Sequence, residues 1–306
     1  YFGGNHKQET VVAFFKQHND EFRRMVGVSR SKSSYYKYRS VYRLLAAYVR
    51  ERCRRADIPF RELDKRFLAG FHQYIARESP HKKNTAWVYM IAFKHILMLA
   101  RSRDLLSADL FAGYRLRSEF VARDYLTETE IRRLMLLAPT DRTQRLVLDA
   151  FLFSCFTGLS YIDIRQLKPA NIRYTQGQLW IGTTRRKTGS EVYVRLFAVP
   201  NAILSRYLTD AADEPIFALP SNGWCNACLR RLLPEAGIVR PVTFHVARHT
   251  FATTITLSQG VAIETISKLL GHRNIRTTQI YAAVTHAKLE GDMERLSRQL
   301  DACYRL

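Results

Sequence analysis

A mainly α-helical chain carrying one small β-hairpin, an α+β arrangement in two domains, is the fold that three features of this sequence predict. Apolar residues recur at helical spacing through the first third. One stretch rich in β-formers interrupts the helical pattern near the middle, and 306 residues are enough for about two hydrophobic cores. Hydrophobic residues make up 47% and charged residues 25%, the balance of a globular chain and not of a disordered one.

In the first domain, Tyr38, Val41, Tyr42, Leu45, Tyr48 and Val49 follow i, i+3, i+4, i+7 spacing, with Arg39, Arg43, Arg50 and Arg52 mostly off that stripe. A second stripe is read through Trp87, Met90, Ile91, the stem of Lys94, Leu97 and Met98, with Asn84-Thr85 as its N-cap. Segments 9–26 and 64–77 complete a four-helix domain over residues 1–114. A charged stretch after Gly113 reads as a linker at 115–125. The second domain, 126–306, opens with Thr127-Glu128-Thr129-Glu130, a capping box in which Thr127 and Glu130 satisfy each other's backbone N–H groups. Leu179-Trp180-Ile181 and Val192-Tyr193-Val194 form the arms of the hairpin, with its turn near Thr188-Gly189-Ser190. Residues 286–306 read as an amphipathic helix with Leu289, Met293 and Leu296 on one stripe.

Charge narrows the function. The net charge is +21, and residues 1–125 hold 25 Lys/Arg against 12 Asp/Glu. An excess of that size on a folded protein fits double-stranded DNA as partner better than a membrane surface. No apolar run approaches the roughly 20 residues needed to span a bilayer, and no signal-peptide pattern opens the chain. Five dispersed cysteines argue against a disulfide scaffold and for a reducing, cytoplasmic compartment. Cys225 and Cys228 lack a second ligand pair nearby, so they read as buried thiols on one helix face and not as a metal site. Because the chain starts at Tyr1 without Met, it is expected to be a fragment or a trimmed form.

Chemistry is concentrated in the second domain. His245 and Arg248 are three apart in a helical segment that Gly260 ends, so imidazole and guanidinium share a face and can converge on one phosphate. His249 points elsewhere and reads as a packed or capping histidine. Gly271 suits a left-handed helix terminus that fixes the direction of His272, and Tyr281 follows nine residues on. A tyrosine nucleophile with fixed positive donors is what metal-free attack on a phosphodiester requires. Tyr281 is one of 16 tyrosines, so the constellation carries the argument and the single residue does not.

Cys155-Phe156-Thr157-Gly158-Leu159, Lys187 in the hairpin, His245 to Thr250, Leu270-Gly271-His272 and Tyr281 occur in an order and context that resemble the tyrosine recombinase, or phage-integrase, family. The resemblance implies a core-type DNA-binding domain followed by the family's catalytic domain. It implies strand cleavage through a 3′-phosphotyrosine, with no ATP, nicotinamide or metal cofactor. Four protomers on paired sites, a tail helix that docks on a neighbour and a DNA-bending accessory protein are further implications. Lys187 becomes the general acid, Arg248 and His272 phosphate donors, and His245 a base or hydrogen-bond partner of the tyrosine. One position departs from the pattern: the arginine expected after Thr-Gly-Leu is Ser160. Arg185 is the expected replacement, because 185 and 187 are read on one face of a strand, and Asp163 is expected to orient a cation. The same departure resembles integrases of Bacteroidetes conjugative transposons, which places the chain in bacteria and points to integration or excision of a mobile element. A DNA invertase of the family, a type IB topoisomerase and an inactive DNA-binding protein stay open as alternatives. Integrases of that type carry an N-terminal arm-binding domain, and none is read here.

Overall fold

The computed structural model describes residues 9–78, 83–119, 123–209, 211–281 and 286–304. The chain divides into two compact units, Tyr1–Val121 and Ala122–Leu306. Of the stretch 115–125, residues 120–122 lie outside the described residues.

The first unit is built from four helices, α1 (Val11–Arg24), α2 (Lys32–Arg52), α3 (Lys65–Glu78) and α4 (Lys83–Arg101). Ser31 caps α2 by accepting the Ser34 N–H at 3.1 Å. Phe15, Leu45, Leu68, Phe71, Ile75, Met90 and Phe93 are fully buried and fill the space between the helices. The apolar stripe expected on α4 is displaced. Ile91 and Met98 are 42% and 59% exposed, while Phe93, Ile96, Leu97 and Ala100 join Met90 inside. Asn84 is not an N-cap either: the helix begins at Lys83. The Asn84 amide instead brackets the backbone of Glu119, donating to its carbonyl (2.9 Å) and accepting from its N–H (2.7 Å). With a backbone partner 35 residues away, the side chain is unavailable to cap its own helix.

In the second unit, α5 (Glu128–Leu136) starts with the expected capping box: Thr127 N–H donates to Glu130 Oε2 at 2.8 Å and Glu130 N–H to Thr127 Oγ1 at 3.3 Å. The central helix α6 (Arg142–Thr157) is buried almost all round from Val147 to Cys155. Asp141 caps its start, and Gly158 ends it in the left-handed region at φ 70°. A five-residue helix α7 (Tyr161–Arg165) follows.

The sheet has three antiparallel strands where the sequence showed two: β1 (Ile172–Thr175), β2 (Gln178–Thr184) and β3 (Glu191–Arg195) in the order β1-β2-β3. Ile181 pairs with Ile172 on one side and Val194 on the other, and Ile181, Val192 and Val194 face the core. The edge strand β1 was not legible because only its first residue, Ile172, is even half-buried, so it carries no strong alternation.

Next come α8 (Ala198–Leu204), α9 (Asn222–Leu232) and α10 (Phe244–Thr250). Cys225 and Cys228 are buried on α9. Among the described residues no cluster of three or more His, Cys, Asp or Glu could hold a metal ion. The helix α10 runs on through a π turn at Phe251–Thr256, where Thr256 Oγ1 bonds back to the Phe251 and Ala252 carbonyls, and a 3₁₀ turn before Gly260. Short helices α11 (Ile263–Leu269) and α12 (Arg276–Gln279) lead to Tyr281, and α13 (His286–Cys303) ends the described chain. On α13, Met293, Leu296 and Leu300 are all exposed, and the Leu289 side chain lies outside the described residues. No helix among the described residues is long and apolar enough to cross a membrane.

At Gly158, a Cβ would stand 2.5 Å from Phe251 Cδ1, in addition to the strain of a left-handed backbone. Gly158→Ala is expected to destabilise the second unit by about 2 kcal/mol or more, read as a lowered urea midpoint at unchanged m-value.

Candidate active site

Five elements of the second unit converge on one electropositive hollow. The segment after Gly158 supplies Ser160 and Asp163, the β2–β3 loop supplies Arg185 and Lys187, and α10 supplies His245, Arg248 and His249. The end of α11 presents His272, and the turn after α12 presents Tyr281.

At the position that departs from the motif, Ser160 caps α7. Its hydroxyl donates to Asp163 Oδ2 at 2.5 Å and its N–H reaches the same oxygen at 3.2 Å. Asp163 is thereby fixed beside Arg185, whose Nη1 lies 2.8 Å from Oδ2. Both side chains are almost fully buried. The Arg185 Nη1 protons are directed at no acceptor, so this contact is an ion pair without a hydrogen bond and leaves a buried donor unsatisfied. Arg185 and Lys187 do not lie on a strand, as the sequence reading had it. The strand β2 ends at Thr184, and residues 185–190 form the connecting loop, closed by Arg185 N–H to the Ser190 carbonyl and Gly189 N–H to the Arg185 carbonyl, each 2.8 Å. Arg185 therefore reaches the hollow through loop geometry and not through strand alternation. It is buried, whereas Lys187 is exposed.

Arg248 is 4% exposed. Its Nη1 donates to the Gly158 carbonyl at 2.7 Å, and its Nη2 donates to the Leu270 carbonyl and to His272 Nε2, the last at 2.9 Å. A guanidinium can only donate, so His272 Nε2 is an acceptor and the imidazole is neutral, with its proton on Nδ1 facing Thr278 Oγ1 at 2.8 Å. Burial first, then Arg248 and Arg185, holds His272 down to about 4. In this state His272 orients Arg248 through its acceptor Nε2. Arg248 itself is pulled down to about 9, by burial first and then by repulsion from Arg185, which leaves it charged at neutral pH.

Gly271 allows this assembly. Its φ of 63° ends α11 in the left-handed region, and a Cβ there would fall 2.7 Å from Arg185 Cγ and 2.8 Å from Val192 Cγ2. Its carbonyl accepts from Thr188 Oγ1 at 3.3 Å, tying the β2–β3 loop to the end of α11.

Tyr281 is 8% exposed, and its hydroxyl lies 2.8 Å from Nδ1 of His249. His245, expected to be the tyrosine's partner, instead stands with its ring 4.5 Å from that of His249, edge to face. His249 is thus packed, as expected, but it does not point elsewhere: it is the histidine on the tyrosine. Adjacent residues on a helix stand about 100° apart, so sharing a site with Arg248 was not visible from spacing on α10 alone. Tyr281 arrives from the flank that His249 faces. Burial raises the phenol above its usual range while Arg248, Arg123 and Arg185 pull against that rise. His249 is held down to about 3, chiefly by burial and then by His245 and Arg123, so it is neutral. His245 is lowered as well, by burial first and then by Arg248, Arg123 and Lys187.

Residues 124–288, more than half of the chain, match the phage integrase family, and residues 10–116 match the phage integrase SAM-like domain. The chain belongs to the phage integrase family. It is 31% identical over 185 residues to the tyrosine recombinase XerA of Pyrococcus furiosus, covering 56% of this chain and 60% of that one. It is 44% identical over 149 residues to the tyrosine recombinase XerD of Listeria monocytogenes, covering 44% and 48%. The chain thus spans about half to three-fifths of the length of these relatives. Its fold is similar to that of a lambda integrase dimer bound to a COC′ core site, with TM-score 0.69 and 16% identity over 89% of this chain and 95% of that one. It is also similar to the Tn1549 transposon integrase in complex with transposon right end DNA, with TM-score 0.68 and 15% identity over 94% and 100%.

The buried histidines make stability depend on pH. His249 and His272 titrate near 3 and 4 in the folded chain against an ordinary 6.5, so between about pH 6.5 and 4 the unfolded chain binds more protons. Stability should therefore be full above about 6.5 and fall as the pH drops toward 4. Urea midpoints measured across that window should show the decline, and the double variant His249→Gln, His272→Gln should flatten it.

Proposed function

We propose that this chain is a site-specific DNA recombinase that cuts and rejoins double-stranded DNA through Tyr281. One observation carries the reading: a buried tyrosine hydroxyl, bonded to a neutral imidazole, in the field of two buried guanidiniums, one of them paired with Asp163. Such a hollow is electrostatically incomplete until an anion enters.

In the proposed step, Tyr281 Oη attacks the scissile phosphorus while its proton passes to His249 Nδ1. The new O–P bond gives a 3′-phosphotyrosine as the P–O5′ bond breaks, and Lys187 protonates the departing 5′-oxygen. Since Nδ1 of His249 is so weakly basic, proton transfer accompanies bond formation and does not precede it. Arg185 and Arg248 hold the non-bridging oxygens, Asp163 and His272 position them, and His245 lies beside His249 at the same face. The energy of the cleaved bond stays in the ester, so the chemistry asks for no cofactor.

Family membership supports strand exchange as the outcome, which needs two duplexes and four protomers. The exposed apolar stripe of α13 supports docking of that helix on a neighbouring protomer. The Ser160 departure and the likeness to a transposon integrase favour integration or excision of a mobile element over inversion, with a DNA-bending protein as accessory. A bacterial, DNA-associated location follows from the same reading. Ser160 also motivates the non-catalytic alternative, against which the Asp163–Arg185 pair stands, since it brings a guanidinium to the hollow by another route.

The test is covalent trapping on genomic DNA of the source, with recovery of protein-linked fragments. Adducts that vanish in Tyr281→Phe support the proposal, and the attached sequences separate element ends from invertible repeats. Binding without adducts would replace it with the non-catalytic reading. Arg185→Gln should slow adduct formation by about 10²–10³ while leaving DNA affinity within tenfold. Ser160→Ala, which leaves the Asp163–Arg185 pair in place, should cost far less.

A further inference from the structure

The segment that enters the second unit is bonded to the helix of the candidate site at its backbone. Leu126 N–H donates to Thr250 Oγ1 at 2.9 Å, and the Leu126 carbonyl accepts from Thr254 Oγ1. The Tyr125 carbonyl accepts from Arg240 Nη2 at 2.8 Å, and Arg240 is in turn paired with Glu130. Thr250 directly follows His249 on α10, so Leu126 is tied to the helix that carries Arg248 and His249. Arg123 is three residues from Leu126, at most about 10 Å of extended chain from that anchor.

Arg123 is exposed and makes no hydrogen bond or ion pair among the described residues. Its sequence neighbour Asp124 acts on Arg240 instead. Tyr281, His245 and His249, the three groups on the tyrosine side of the hollow, all feel its charge after the larger effect of burial. The guanidiniums already assigned come from α10 and the β2–β3 loop and are held by carbonyls and by Asp163. Among the described residues nothing holds Arg123, and it stands three residues before the anchor at Leu126, with the carbonyl of Tyr125 also bonded. A planar donor fork so placed is suited to a phosphate oxygen.

We propose that Arg123 is a further phosphate-binding cation of the cleavage site, brought by the entering segment to a non-bridging oxygen of the scissile phosphate on the Tyr281 side. The inference rests on the recombinase reading above. It adds a residue that lies outside the motifs of the second unit and couples the path of the entering chain to assembly of the site.

The experiment is single-turnover adduct formation on a nicked duplex carrying a sequence recovered by trapping, with wild type, Arg123→Gln and Arg123→Lys. A second substrate has a neutral methylphosphonate in place of the scissile phosphate. Arg123→Gln should cleave about 10²-fold more slowly than wild type, with melting temperature unchanged and DNA affinity within tenfold. Arg123→Lys should recover part of the loss. On the methylphosphonate, which has one anionic oxygen fewer to neutralise, Arg123→Gln should come within about tenfold of wild type. Cleavage by Arg123→Gln within threefold of wild type overturns the proposal. So does a loss of binding that accounts for the whole defect, and so does rescue only when a flanking phosphate, not the scissile one, is neutral. If wild type itself yields no Tyr281-dependent adduct, the recombinase reading fails first and this inference with it, a result distinct from the other three.

Discussion

Two buried guanidiniums, one paired with a carboxylate and the other held by backbone carbonyls, are the constraint around which the second unit is arranged. Arg185 and Arg248 repel each other, and each is pulled below its ordinary range chiefly by burial. Such an arrangement persists only if the surrounding backbone absorbs it. The carbonyls of Gly158 and Leu270 take the Arg248 protons, and Asp163 takes the charge of Arg185. Those carbonyls are in place because α6 and α11 both stop there, one at Gly158 and the other at Gly271, each in a left-handed conformation. The helix ends are therefore part of the site, and the destabilising charge is the property that makes the hollow receptive to an anion.

The same economy of charge explains the histidines. Neutral imidazoles can be buried beside cations where charged ones could not. His272 uses its acceptor nitrogen to orient Arg248, and His249 uses its own on Tyr281. Neither is a free proton reservoir at neutral pH.

Ser160 shows how a short side chain positions a carboxylate. Serine is too short to reach a phosphate, but it caps α7 and locks the carboxylate of Asp163. That carboxylate then recruits a guanidinium from a loop more than twenty residues later. Gly271 opens the space the Arg185 stem needs, so the glycine of Leu270-Gly271-His272 is a condition for the Asp163–Arg185 pair.

By itself the sequence determined the helical first unit, the capping box at Thr127 and the β2–β3 arms, and it offered the candidates Arg185, Lys187, His245, Arg248, His272 and Tyr281, of which Arg248 and His272 are in direct contact. These are legible because helical and strand periodicities, caps and motif order are local in the chain. Tertiary structure alone decided which face of α4 is buried, that β1 joins the sheet, that Asn84 holds Glu119 and does not cap its helix, and that Arg185 lies in a loop. It also decided that His249 and not His245 meets Tyr281, and that Leu126 is tied to α10 at Thr250. Several of these depend on partners tens to more than a hundred residues away, and spacing along the chain records which side of a helix a residue occupies, not what arrives to face it.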